Sequence, residues 1–142
     1  MSSVVSTYRL THRGALNALN ACIAHADKLG TPVTISIVDA SGLLLAAARM
    51  DGSFFLSIES SLNKAKTAAA CFKPTGGAPD MIALKLGLAT FGQQTIGMLG
   101  GVPILVKGHC IGGIGAGSAT GEQDREISLA GLATIDDAKV EF

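Results

Sequence analysis

The 142-residue chain has no tryptophan, one tyrosine and five phenylalanines, so aromatics make up only 4% of it. Its core must therefore be packed from Ala, Leu, Ile and Val rather than from large rings. Charge is also sparse, at 15% of residues, and eleven basic side chains cancel eleven acidic ones. That balance excludes the basic field on which phosphate-backbone binding depends, so nucleic acid is not an expected partner. No apolar run approaches the ~20 residues needed to cross a bilayer, and no membrane role is expected. The first residues, MSSVVSTYRLTHRG, lack a basic stretch followed by a long apolar run, so we read no signal peptide. Cys22, Cys71 and Cys110 are odd in number, widely spaced and without a CxxC pair. They read as free thiols of a cytoplasmic protein. With so little charge, mean hydropathy is +0.43. Such an apolar surplus is expected to be covered in a homo-oligomer.

Glycine, by contrast, is plentiful, at eighteen residues, and implies tight turns and close backbone approaches. Leu16, Leu19, Ile23 and Ala26 recur at helical spacing, with Leu29 near the end; Thr11 suits the N-cap and Gly30 the C-terminal stop. TPVTISIVDASGLLLAAARM reads as a hairpin turning at Asp39–Gly42, its second strand apolar on both faces and hence expected to be central. Ile58, Leu62, Ala65, Ala69 and Phe72 mark a second helix, ended by Pro74. Pro79 fits the first turn of a short third. Three short β runs follow, around Thr95–Leu99, Ile104–Val106 and Cys110–Gly115, with Gly100-Gly101 and Lys107-Gly108 as turns. Thr120 and Gln123 then form a capping-box pattern before a last helix, with Glu122 and Asp124 in its first turn, where the helix dipole favours carboxylates. The expected order is α-β-β-α-α-β-β-β-α, in one α+β domain over 1–142 with a largely antiparallel sheet.

GGIGAGSATGEQD lies between a strand and a helix and invites a dinucleotide reading, but the GxGxxG frame fails at Ser118 and at Thr120. It reads instead as a glycine strand against which a helix or a ligand packs. Beside a helix N-terminus, Gly115 and Ser118 could help to hold an anion such as a carboxylate. By helical phase, His12 falls on the apolar stripe of the first helix and His25 on the solvated face, with Cys22 flanking it. There is no HExxH and no GxSxG, so neither an all-protein metal site nor a serine nucleophile is indicated. Arg49 and Asp51 share a parity at the end of an apolar strand, Lys64 lies in the next helix, and Thr67 is one turn further on. Two readings stay open. One is a salt bridge closing the strand end onto the helix. The other is a cleft in which Arg49 or Lys64 holds a carboxylate and Asp51 acts as acid or base.

PVTISIVDASGLLLAAARMDG, SIESSLNKAKTAAA and GGVPILVKGHCIGGIGAGSATGEQDREISLAGL together resemble the GlcG/HbpS-like (haem-degrading domain) family. That family also supplies the C-terminal domain of PduO-type corrinoid adenosyltransferases. The combination of VDxxG, RMDG, KAxTAA, GGxPI and GEQD covers roughly Ala15 to Leu132, although Ala116-Gly117-Ser118 stands where the family usually has Val-Ser-Gly. The resemblance implies a profilin/PAS-like fold with a five-stranded antiparallel sheet flanked by helices, and dimers built into tetramers or octamers. It also implies a small-ligand-binding protein for haem or a related tetrapyrrole, with haem as the cofactor; the chain's own residues supply His12, His25, Met50 and Cys22 as candidate iron ligands. The second reading of the residues themselves is a small isomerase, tautomerase or lyase. In it Arg49, Asp51, Lys64, Thr67, Gly115 and Ser118 would meet an organic acid, with Asp51 and Lys64 catalytic.

Overall fold

A computed structural model of the chain describes residues 1–90 and 96–142. The first helix, α1 (His12–Leu29), starts at Thr11, whose hydroxyl accepts a hydrogen bond from the Gly14 N–H, and ends at a left-handed Gly30, as expected. Its buried face is Ala15, Ala18, Leu19, Cys22 and Ala26. Leu16, 47% exposed, lies outside that face, which is rotated from the expected stripe. The small residues face inward because another helix approaches closely there: a Cβ added at Gly131 would collide with the Cys22 sulfur. The hairpin follows as β1 (Thr34–Asp39) and β2 (Leu44–Arg49). The Asp39 carboxylate accepts from the Ser41 and Leu43 N–H groups at 2.8 and 3.0 Å, and Gly42 takes a positive φ.

After α2 (Ser57–Cys71) and α3 (Asp80–Ala89) come β3 (Gly101–Val106), β4 (His109–Gly117) and α4 (Gly121–Leu132). Lys107 and Gly108, both at positive φ, make the tight turn between β3 and β4. The Thr120–Gln123 capping box starts α4. Among the described residues the sheet has four strands, all antiparallel, in the order β2-β1-β4-β3. The element order is α-β-β-α-α-β-β-α, which corrects both the five-stranded expectation and the extra β element before β3. Thr95 lies outside the described residues, and 96–99 form no strand. In that stretch backbone groups are taken by side chains, which cannot propagate a ladder. The Ile96 N–H donates to the Thr67 hydroxyl and the Met98 carbonyl accepts from the Thr75 hydroxyl.

Helix α2 lies on one face of the sheet, while α1 and α4 pack on each other and on the opposite face. Alternation along β1 separates the two layers. Ile35 and Ile37 join Ile104, Ile114, Ile127 and Leu132 in the main core, while Thr34, Ser36 and Val38 turn towards α2. On that second face β4 offers glycine. A Cβ at Gly115 would collide with the Ser61 carbonyl and lie 2.6 Å from the Ala65 nitrogen, so α2 rests almost on bare backbone. Only small or slender side chains fit there: Ser57, Ser61, Lys64, Ala65, Ala68 and Ala69 are buried. Ile58 and Phe72, expected inside, point outward. Strand β2 is an edge strand and not central, with Leu44 54% exposed.

Candidate functional site

Strand β2 carries Arg49 to the level of Thr34 at the start of β1, and Met50 continues the pairing through its N–H to the Val33 carbonyl. Arg49, Met50 and Asp51 border a cleft of about 570 Å³ against the end of α1, where Asp27, Gly30 and Thr31 form the other wall. A second cleft of about 440 Å³ shares Gly30, Thr31 and Pro32 with the first and is bordered by Phe54, Ser118, Thr120 and Gln123. Ser118, at φ 94°, is held by function within the fold: its hydroxyl accepts from the Phe54 N–H at 2.9 Å and so pins the loop after β2.

Lys64 is elsewhere. Its ammonium donates to the Asp124 Oδ2 at 3.0 Å and to the Ala116 carbonyl at 2.9 Å, and the two charged side chains are 3% and 2% exposed. The other Asp124 oxygen accepts from the Ala119 N–H. The pair meets across bare backbone at the start of β3: a Cβ at Gly100 would sit 2.9 Å from the Lys64 nitrogen. Burial pushes the Asp124 carboxyl above the usual carboxylate range, while Lys64 and the Ala119 N–H pull it back. This lysine joins α2 to α4 and faces neither cleft.

Of the residues singled out in the sequence, Arg49, Asp51 and Ser118 therefore border the connected clefts, and Lys64, Thr67 and Gly115 do not. Arg49 and Asp51 are exposed and form no ion pair among the described residues. The Thr67 hydroxyl donates to the Asn63 carbonyl and borders a separate cavity of about 370 Å³ between α2 and α3. Gly115 is covered by α2, so a helix and not a ligand occupies the space its missing side chain leaves.

His12 is exposed at the first turn of α1. His25 is partly exposed, at 28%, and its Nε2 lies 2.8 Å from the exposed Glu126 carboxylate, bridging α1 and α4. Thirteen residues of helix separate the two imidazoles by about 20 Å, so one chain cannot present both to one iron. Cys22 is buried and its thiol is pushed up to about 12 by desolvation, which makes it a packing group. Met50 is half-buried at the first cleft. Among the described residues no group of three or more His, Cys, Asp or Glu side chains is gathered as for a metal ion. No helix among them is long and apolar enough to cross a membrane. Large apolar side chains are exposed around the start of α2 (Phe54, Phe55, Leu56, Ile58) and along α3, which buries none of its residues.

Asp124 and Thr31 were not anticipated as notable. Asp124 had a visible signal, since it falls in register with Ile127, Ser128, Gly131 and Leu132 on the buried stripe of α4. A carboxylate on such a stripe calls for a buried cation.

The model of the family described as haem degrading protein HbpS-like matches residues 10–133. The chain belongs to the HbpS-like family. A 15.0 kDa protein from the dhaT-dhaS intergenic region of Citrobacter freundii is 35% identical over 127 residues, covering 87% of this chain and 89% of that one. Among solved structures, Klebsiella pneumoniae ORFY superposes with a TM-score of 0.85 at 28% identity, over 94% of this chain and 95% of that one. The PduOC–haem complex superposes at 0.84, also at 28% identity, over 95% of this chain and all of that one. Full-length PduO of Salmonella typhimurium is 31% identical over 121 residues, and the match spans 35% of its length.

Proposed function

We propose that this HbpS-like chain is a binding protein for haem or a related tetrapyrrole, with His12 as the iron ligand. The observation that carries the reading is the exposed His12 with an exposed Leu16 one helical turn on. His12 makes no hydrogen bond or ion pair with the described residues, whereas His25 is held by Glu126. Support comes from the family's description and from the similarity to PduOC, whose structure is a haem complex. Arg9 and Arg13 flank His12 in sequence and supply cations for propionates.

The fit is that of a surface site. None of the clefts described above is lined by a histidine, so a porphyrin on His12 would rest against one face of the chain with the other uncovered. We propose that a second copy covers it, in a homo-oligomer whose contacts use the exposed Leu44 of the β2 edge, Leu43 just before it, and Phe55 and Leu56 beside α2. We place the protein in the cytoplasm, in keeping with its three unpaired thiols. When bound, haem supplies a redox-active iron; the chain's part is to hold and orient it. The reading as an organic-acid enzyme stands second, because it retains Arg49 and Asp51 at a cleft but loses Lys64 to Asp124.

The test is a titration of haem into haem-free protein, followed at the Soret band. A shifted band that saturates at micromolar haem is expected. An unshifted band under those conditions would overturn the proposal.

A further inference from the structure

The cleft at the end of β2 is built from charges of both signs that do not neutralise one another. Arg49 faces it with Asp27 and Asp51, and no two of these are ion-paired. Its floor is apolar, from Ile23 and Met50. Thr31, shared with the adjoining cleft, carries the one buried side-chain oxygen among the described residues that lacks a hydrogen-bond partner. That hydroxyl is packed inside the chain and is not presented to the cleft. At about 570 Å³ the cleft falls within the range of small-molecule sites.

We propose that this cleft binds a small zwitterion bearing an ammonium and a carboxylate close together, of the class of apolar α-amino acids. A simple anion would meet two carboxylates for one guanidinium, and a simple cation would meet the guanidinium. A zwitterion satisfies both signs: Arg49 takes the carboxylate in a forked contact, and Asp27 and Asp51 take the ammonium. A short aliphatic side chain lies on Ile23 and Met50. The site is independent of the haem reading, because it lies at the end of α1 opposite His12, about 25 Å away along the helix.

The test is calorimetric titration of the haem-free protein with L-leucine and, separately, with its two halves, isoamylamine and 4-methylpentanoate. Leucine is expected to bind at least about tenfold more tightly than either half. Arg49→Gln and Asp51→Asn are each expected to weaken it by about tenfold while leaving circular dichroism and Tm unchanged, since both side chains are exposed. Absence of heat at millimolar leucine, equal binding of the half-molecules, or unchanged affinity in Arg49→Gln would each overturn the proposal.

Discussion

Replacing Lys64 by Met removes one member of a buried ion pair while keeping most of the side chain's volume. At 3.0 Å and an effective dielectric of 20 the lost attraction is about 5–6 kcal/mol. The desolvation cost of the lysine is recovered, but Asp124 stays buried with only the Ala119 N–H for company, and the Ala116 carbonyl loses its donor. Removing one partner of such a pair costs about 3–5 kcal/mol, which for a chain of this length lowers Tm by roughly 10–20 °C. The deficit should depend on pH in a determined direction. Asp124 is already raised by burial against the pull of Lys64, and without Lys64 it rises further. An acid raised by folding stabilises the folded state when protonated and loses that contribution as pH climbs through its folded pKa. Urea unfolding of Lys64→Met should therefore show a smaller deficit at pH 5 than at pH 8. The double variant with Asp124→Asn should cost less than the sum of the two single changes by about 1–3 kcal/mol. A deficit under about 1 kcal/mol, or simple additivity, would show that Lys64 and Asp124 are not a coupled buried pair.

Three further outcomes are expected. Gly115→Ala should destabilise the protein severely and reduce soluble yield, because its Cβ collides with α2, whereas Gly77→Ala, which meets nothing within 4 Å, should change urea stability by less than about 0.5 kcal/mol. Alkylation at pH 8 followed by mass spectrometry should label the exposed Cys71 first and leave Cys22 untouched in the native state, since burial holds its thiol near 12. Leu44→Arg on the β2 edge should lower the molar mass found by light scattering, and an unchanged mass would remove that edge from the proposed interface.

Local chemistry was legible from the sequence wherever a few neighbouring residues decide the conformation. The Thr11 cap, the Gly30 stop, the Asp39–Gly42 turn and the Thr120–Gln123 box all stand where their residue types require. Helical phase was harder. In α2 the expected stripe held for the buried Ala65 and Ala69 and the half-buried Leu62 beside them, but its large ends Ile58 and Phe72 point outward, because the glycines of β4 bring the helix so close that the serine, alanine and lysine side chains fill the contact. That choice depends on a strand some fifty residues later and cannot be read from the helix alone. The same holds for β2, whose apolar residues on both faces suggested a central strand although the sheet ends there. The candidate site divided in the same way. Arg49 and Asp51 were found through strand parity, which is local, but Lys64 was assigned to them although its partner, Asp124, is sixty positions away. Thr31 gave no sequence signal, because an unsatisfied hydroxyl is a property of the packed chain.

Whether His12 is the residue through which this HbpS-like chain holds haem is decided by the absorption spectra of haem-titrated His12→Ala and His25→Ala. His25→Ala is expected to retain the Soret position and affinity of the unmodified chain, and His12→Ala to lose the band shift or weaken binding at least about tenfold. A normal spectrum in His12→Ala, with the loss in His25→Ala or in neither, would contradict the assignment to His12.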